Sequence, residues 1–165
     1  MKDTDLAWLA GIWDGEGTIS IFTHTEKTGN QKICPCVSVV NTDIAIINKV
    51  RKTLEEIGCN FVLQERQPKN SRHSKQWILT TRNMSYILLF LSAVLPYLTG
   101  NKQQAAEIIH DYCKRRNEKI QRIPSKGSTP YDEEDWSYLE KYDSMNFRRS
   151  NNRSSSTTRE ALVQE

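Results

Sequence analysis

The spacing of apolar residues along the chain changes several times, and each change predicts a different secondary-structure element. Four segments have apolar residues at helical spacing, namely 6–13, 44–57, 83–98 and 102–116. Four others alternate apolar with polar residues and are rich in β-branched side chains, namely 18–25, 32–40, 60–67 and 76–82. The order is helix, two strands, helix, two strands and two helices, which predicts an α+β fold.

Local signals support these boundaries and separate a core from an appendage. Asn41 and Asp43 are placed to cap the second helix, and Gly58 is placed to end it. We expect residues 1–123 to form one domain. Residues 124–165 are predicted to comprise a linker, a short helix over 130–147 capped by Thr129, and a flexible polar tail.

Composition fits a globular protein without a membrane segment. Hydrophobic residues make up 37% of the 165 residues and charged residues 26%. The longest apolar run, 86–98, is too short to cross a bilayer. No secretory signal pattern is present at the start, so an intracellular location is expected. The four cysteines form no zinc-type pattern and are expected to be reduced thiols.

The positive charge is concentrated in the predicted core. Residues 1–123 hold 17 Lys and Arg against 12 Asp and Glu, whereas residues 124–165 hold 6 against 8. A basic excess in the folded part favours a polyanionic partner such as nucleic acid.

The stretch LAGIWDGEG at residues 9–17 ends a predicted helix on two acids, Asp14 and Glu16. A helix C-terminus gathers unpaired carbonyls and negative dipole charge, so carboxylates there favour a bound cation. Magnesium takes one or two carboxylates and fills its shell with water and phosphate. Ala7, Gly11 and Gly15 form a small-residue ridge on the same helix, which fits packing either within the chain or against a second helix.

This stretch resembles the signature of the LAGLIDADG homing endonucleases. Five positions match it directly: Leu9, Ala10, Gly11, Asp14 and Gly17. Ile12 is a conservative replacement and Glu16 keeps the acid, whereas Trp13 and Gly15 depart from the signature. The resemblance extends to the order of elements over residues 4–120, where that family has an αββαββα core with a curved antiparallel DNA-binding sheet.

The resemblance implies a site-specific endonuclease. Members of that family hydrolyse both strands of DNA at a long target and leave 3′ overhangs. Mg²⁺ is the implied cofactor, with Mn²⁺ as a substitute and Ca²⁺ as an ion that binds without supporting cleavage. The expected place of action is the host genome.

The resemblance also assigns roles to three site residues. Glu16 matches the acid that binds the catalytic metal, helped by the carbonyl of Gly15. Lys102 is similar in position to a basic residue that activates water or stabilises charge on the phosphate, although a solvated lysine would occupy the same place. Asn41 falls where a polar residue positions the nucleophilic water, and capping of the second helix is its alternative role.

A single copy of the motif implies a homodimer and a near-palindromic target. The dimer interface is then formed by the motif helix, with Ala7, Leu9, Ala10, Gly11, Asp14 and Gly15. The strands and their tips would contact DNA through Ser20, Thr23, His24, Lys27, Lys32, Ser38, Gln64, Arg66, Lys69, Arg72, His73, Lys75, Gln76 and Thr80.

Three alternatives remain open. Some members of this family are maturases that bind intron RNA and assist splicing. A second alternative is a DNA-binding regulator that has lost cleavage, and a third is a structural homodimer without DNA affinity. The extra helix either packs on the core or extends the DNA interface through Arg148, Arg149 and Arg153.

Overall fold

The computed structural model describes residues 2–68, 74–122 and 129–145. In chain order its elements are α1 Asp3–Glu16, β1 Gly17–Thr25, β2 Gln31–Asn41, α2 Ile44–Ile57, β3 Val62–Arg66, β4 Gln76–Thr81, α3 Met84–Val94 and α4 Gly100–Arg122. A short 3-10 turn, Leu95–Tyr97, separates α3 from α4, and a further helix, α5, covers residues 133–145. The predicted order of elements is confirmed.

The four strands form one antiparallel sheet in the order β1-β2-β4-β3. One row of paired residues crosses all four strands, from Thr18 through Ser38 and Thr80 to Val62. Side chains alternate between two faces along each strand. The helices cover one face, here called the helix side, and leave the other face open.

The hydrophobic core lies between the helix side of the sheet and the helices. Ile21, Val37 and Leu79 from the sheet are buried there. Trp13 from α1 is fully buried, with its ring centroid 4.6 Å from that of Phe90 and 6.1 Å from that of Phe61. The apolar face of α1 is thus fixed in the core, which determines where the end of this helix lies.

The predicted helix boundaries have clear local causes. The Asp43 carboxylate accepts a hydrogen bond from the backbone N–H of Ala45 at 2.8 Å and so caps α2. Gly58 ends α2 in the left-handed region, with φ of +87°. Asn83 caps α3 by accepting from Ser85 and Tyr86. The cap of α2 is therefore Asp43, and Asn41 belongs to the end of β2.

The start of α5 differs from the sequence prediction. Asp132 and Asp135 form a reciprocal pair, in which each carboxylate accepts the backbone N–H of the other residue at 2.9–3.0 Å. This cap places the helix start after Asp132, and Thr129 and Pro130 precede it in non-helical backbone. Residues 146–165, which include Arg148, Arg149 and Arg153, lie outside the described part of the chain.

A cluster of charges holds α5 against α4. The carboxylate of Asp135 is fully buried and accepts from Arg115 at 2.6 Å, Arg116 at 3.2 Å and Lys119 at 3.3 Å. Near the other end of α5, the Tyr142 hydroxyl donates to the carbonyl of Ile19 on the edge strand β1 at 3.2 Å. The appended helix therefore packs on the core.

The turn from α1 into β1 requires a glycine for reasons of space. A Cβ atom added to Gly17 would lie 2.7 Å from the Cα of Trp13, which belongs to the helix backbone and cannot yield. We expect Gly17→Ala to destabilise the protein by about 2–3 kcal/mol. Urea unfolding followed by circular dichroism measures this loss.

Gly11→Ala is the matched control for that substitution. A Cβ atom at Gly11 meets nothing within 4 Å in the chain, so the variant is expected to keep the helix content and fold of the single chain, whether or not it alters contact with a second chain. Equal unfolding midpoints for Gly17→Ala and the unmodified protein would contradict the packing role of Gly17.

Candidate active site and nucleic-acid interface

Glu16 lies at the last position of α1, and its side chain is exposed. Its carboxylate accepts a hydrogen bond from the side-chain amide of Asn41 at the end of β2. The side-chain carbonyl oxygen of Asn41 accepts a hydrogen bond from the backbone N–H of Asp43 at 2.7 Å, which fixes the orientation of the side-chain amide. The structure thus brings together Glu16 and Asn41, which are 25 residues apart in the sequence.

Lys102 contacts the same helix end from the first turn of α4. Its ammonium donates to the carbonyl of Trp13 at 3.1 Å and to the carbonyl of Gly17. These bonds place a positive charge where the α1 dipole is negative. Lys102 therefore stabilises the helix end that carries Glu16.

Asp14 is bonded within its own chain. Its carboxylate accepts from the backbone N–H of Thr99 at 3.2 Å and from the Thr99 hydroxyl at 2.7 Å. This contact joins α1 to the segment before α4 and leaves the carboxylate only partly exposed. The arrangement fits a supporting role for Asp14 at the helix end.

A cleft of about 380 Å³ opens beside this helix end. Its walls include Asp14 and Thr18 on one side, Lys102 on another, and Tyr142 and Met145 of α5 on a third. The two α5 residues are 40 or more positions beyond Lys102 in the sequence, so the pattern along the chain gave no signal that they lie here. The appended helix thus contributes one wall of a cleft that shares Lys102 with the candidate site but is not lined by Glu16 or Asn41.

The outer side of α1 carries the small-residue ridge. Ala7, Gly11 and Gly15 are all exposed, and a Cβ atom added to either glycine meets nothing within 4 Å. Packing within the described chain therefore gives no reason for these glycines. Leu9 and Ala10 are different, because both are completely buried in the core of their own chain. The prediction that these two residues contact a second subunit is wrong.

The open face of the sheet holds most of the predicted DNA contacts. Its side chains are Thr18, Ser20, Phe22, His24, Lys32, Cys34, Cys36, Ser38, Val40, Val62, Gln64, Arg66, Gln76, Ile78 and Thr80. None of them is buried, and the four strands place no Asp or Glu on this face. The face therefore combines hydrogen-bonding groups with positive charge.

Several predicted contacts do not lie on the open face. Because side chains alternate along β1, Thr23 lies on the helix side of the sheet, where it is paired with the buried Ile33 of β2. The ammonium of Lys75 lies 3.1 Å from the carboxylate of Glu65 and over the ring of Trp77, also on the helix side. Thr23 is therefore a correction to the predicted sheet-face contacts, whereas Lys75, predicted as a phosphate contact at the hairpin tip, stays a prediction. Lys27 is exposed at the β1–β2 turn, and Lys69, Arg72 and His73 lie outside the described residues.

Arg82 is a candidate contact that the sequence prediction missed. Arg82 directly follows β4 and lies on the same face as Gln76 and Thr80. Its guanidinium carbon is 5.5 Å from the centroid of the Phe22 ring on the open face. The alternation of the predicted strand 76–82 could have identified it. The side chain is exposed, so its charge is available to an anion.

The described residues include no group of three or more His, Cys, Asp or Glu that could hold a metal ion. Glu16 supplies one exposed carboxylate at the end of α1, where the last carbonyls of the helix are also found. This donor set suits a hard cation such as Mg²⁺, which keeps several ligands for water and phosphate. The chemistry of the residues fits such an ion if substrate and a second copy complete its shell.

No described helix has both the length and the apolar character needed to cross a membrane.

The αββαββα order and the four-stranded antiparallel sheet define the fold of the LAGLIDADG homing endonucleases, as predicted. Residues 3–94 match a family model described as a LAGLIDADG-like domain. Because this match covers more than half of the 165 residues, the chain belongs to that family. Comparison with curated protein sequences finds no match.

Solved structures share the fold. The homing endonuclease I-CvuI, in complex with the I-CreI target, has a TM-score of 0.56 at 19% identity, covering 86% of this chain and 96% of that one. The homing endonuclease I-TnaI has a TM-score of 0.53 at 22% identity, covering 86% and 98%. The meganuclease I-SmaMI, bound to uncleavable DNA, has a TM-score of 0.53 at 17% identity, covering 85% of this chain and 42% of that one.

Proposed function

We propose that this protein is a homodimeric, site-specific DNA endonuclease of the LAGLIDADG type. The observation that carries the proposal is the position of Glu16, an exposed carboxylate at the end of α1. It lies next to a sheet face on which the strands place no acid, although Glu26 of the β1–β2 turn pairs with Lys32 at 2.5 Å. An acid at this position does not stabilise the helix, because a helix C-terminus disfavours negative charge. The folds of I-CvuI and I-SmaMI, both solved with DNA, agree with this function.

Glu16 and the Gly15 carbonyl would hold the divalent metal, with Mg²⁺ as the proposed ion, Mn²⁺ as its substitute and Ca²⁺ as an inactive replacement. Such an ion supplies Lewis acidity toward water and the scissile phosphate. Asn41 orients the Glu16 carboxylate through its amide and presents a polar side chain to water at the same point. Lys102 holds the end of α1 and keeps a positive charge beside the phosphate.

The dimer follows from the outer ridge of α1. A glycine in a helix interior costs about 0.5–1 kcal/mol relative to alanine, and the chain itself gives Gly11 and Gly15 no compensating contact. Close approach of a second α1 would provide that compensation. The chain also covers 42% of I-SmaMI, a length that leaves room for two such units in one chain. Two-fold symmetry then places one Glu16 near each DNA strand.

The decisive experiment is cleavage of a randomised duplex library by the purified protein in Mg²⁺, with Ca²⁺ as the control ion. We expect discrete, near-palindromic cut sites in Mg²⁺ and none in Ca²⁺. Salt-sensitive binding without cleavage would replace the endonuclease with a DNA-binding regulator, and binding to structured RNA alone would favour a maturase. Absence of binding to either would contradict a nucleic-acid function.

Cysteine labelling tests the DNA-binding face without requiring cleavage. Cys34 and Cys36 are half-buried on the open face, whereas Cys59 and Cys113 are buried in the core. Burial raises the pKa of the Cys59 thiol to about 11 and that of Cys113 to about 12, so both stay protonated and unreactive near neutral pH. We expect a thiol reagent to modify Cys34 and Cys36 in the free protein.

Target DNA is expected to protect both cysteines from the reagent, which mass spectrometry of the labelled protein measures. The Cys34→Ser and Cys36→Ser variants identify each signal in turn. Unchanged labelling at saturating DNA would contradict binding through the open face. Denaturant provides the internal reference, because it should expose all four thiols.

A further inference from the structure

Three apolar side chains lie together among the polar groups of the open face. Val40 on β2 is paired directly with Ile78 on β4. Val62 on β3 is paired with Thr80, which places it diagonally next to Ile78. We refer to Val40, Val62 and Ile78 as the apolar patch. Direct and diagonal neighbours of this kind are about 5–8 Å apart, so the three side chains form one continuous surface.

Within the patch Val62 is exposed, and Val40 and Ile78 are half-buried. Val62 has 59% of its surface exposed, more than Ile44, Leu89 or Ile120, the other exposed large hydrophobic residues in the described part of the chain. Exposed apolar surface gains free energy when another apolar group covers it. The patch therefore marks a place where the binding partner is expected to present an apolar group.

The surroundings of the patch identify the chemistry of that partner. Val62 lines an open depression of about 520 Å³ together with Gln64, Thr80 and Arg82. These neighbours supply hydrogen-bond donors, acceptors and a positive charge, and no acid lies on this face of the strands. A protein surface would meet such a set less well than a polyanion with polar edges, which is the composition of a DNA groove.

Only one apolar group is available in the major groove of DNA, namely the C5 methyl group of thymine. The other bases present donors and acceptors at the corresponding edge, and these would lose water without gaining a partner against valine or isoleucine. We infer that the apolar patch makes the enzyme specific for thymine at the target positions that it covers. This inference rests on the proposed endonuclease function and adds a specificity determinant to it.

Substitution of thymine by deoxyuridine tests the inference, because it removes the methyl group and leaves base pairing intact. Each thymine of the target found in the cleavage library is replaced in turn, and the cleavage rate is measured at limiting protein in Mg²⁺. At a thymine covered by the patch we expect cleavage to slow about fourfold, the value of one buried methyl group.

The protein variants supply the second arm of the test. Val62→Thr keeps the shape of the side chain and replaces one of its two methyl groups with a hydroxyl, so at the thymine that Val62 covers the difference between thymine and deoxyuridine targets should fall below fourfold. Ile120→Thr removes an exposed apolar residue from α4 and should keep the fourfold difference. Thermal unfolding of each variant checks that the fold is retained.

The outcomes separate this inference from the proposed function. Discrete cleavage that is indifferent to every deoxyuridine substitution would overturn thymine recognition and leave the endonuclease intact. An equal loss on deoxyuridine for Val62→Thr and the unmodified protein would also overturn it. If Val62→Thr instead changed the oligomeric state, the patch would be a contact between subunits and not a base contact.

Discussion

Glu16→Gln is expected to abolish DNA cleavage while preserving DNA binding. Glu16 is the exposed carboxylate at the end of α1, and under the proposed function its loss removes the anionic ligand that each chain would contribute to the metal. A glutamine carbonyl can still accept the hydrogen bond of the Asn41 amide, so the local geometry should persist. Metal assistance contributes several kcal/mol, which corresponds to a loss of roughly a thousandfold in the rate of cleavage.

Single-turnover cleavage and gel-shift titration on the same duplex measure the two effects. Asp14→Asn is the matched control, because it removes a carboxylate two positions away while asparagine can still accept from Thr99. We expect that variant to retain cleavage. Normal cleavage by Glu16→Gln would refute metal binding at this position, and loss of DNA binding would show that Glu16 supports the fold of the site.

Asp135→Asn is expected to release α5 from α4. The Asp135 carboxylate is completely buried and is the common partner of Arg115, Arg116 and Lys119. Removing its charge leaves the buried Arg116 without a carboxylate partner, whereas Arg115 and Lys119 keep Asp132 at 2.7 Å. Breaking a buried pair in this way costs about 3–5 kcal/mol. The midpoint of thermal unfolding should fall by about 6–20 °C, since 1 kcal/mol shifts it by about 2–4 °C at this chain length. Hydrogen exchange should show loss of protection in residues 133–145.

The exposed Asp143 on the same helix provides the control, and Asp143→Asn is expected to unfold like the unmodified protein. Because Tyr142 and Met145 line the cleft beside Lys102, release of α5 should also lower the cleavage rate. An unchanged unfolding midpoint and unchanged exchange for Asp135→Asn would contradict the anchoring role of the buried carboxylate.

The ion pairs that Asp132 forms with α4 predict how the docking of α5 responds to acid. Hydrogen bonds from Arg115 and Lys119 hold the pKa of Asp132 well below its usual value. A carboxyl whose pKa is lowered by folding stabilises the protein above its unfolded pKa of about 4, and this contribution declines as the pH falls toward the shifted pKa. The docking of α5 should therefore be complete at neutral pH and weaken only in strong acid.

The fold was largely predictable because its signals are local. The alternation over β1 and β2, the cap at Asp43 and the left-handed Gly58 each depend on a few neighbouring residues. The motif of residues 9–17 located Glu16 in the same way. These features need no knowledge of distant parts of the chain, so sequence patterns are sufficient to find them.

The features that escaped prediction depend on contacts between distant segments. Helical spacing placed Leu9 and Ala10 on α1 but did not determine which side faces the sheet, and both are buried there. Tyr142 reaches β1 across 123 positions of sequence, and Asp135 finds its partners on α4. Thr23 was assigned to the wrong face because alternation divides the side chains of a strand into two sets but does not show, near the end of the strand, which set the helices cover.

Side chains on the helix side of the sheet stabilise the fold, whereas those on the open face contribute little to stability. This difference affects how the DNA sequence recognised by the protein can change. Substitutions on the helix side disturb packing, whereas exposed surface positions usually change stability by less than about 0.5 kcal/mol. Side chains such as Gln64, Arg66 and Val62 can therefore be exchanged while the folding energy stays nearly constant. A protein built in this way can acquire a new recognition sequence by single substitutions, with every intermediate still folded.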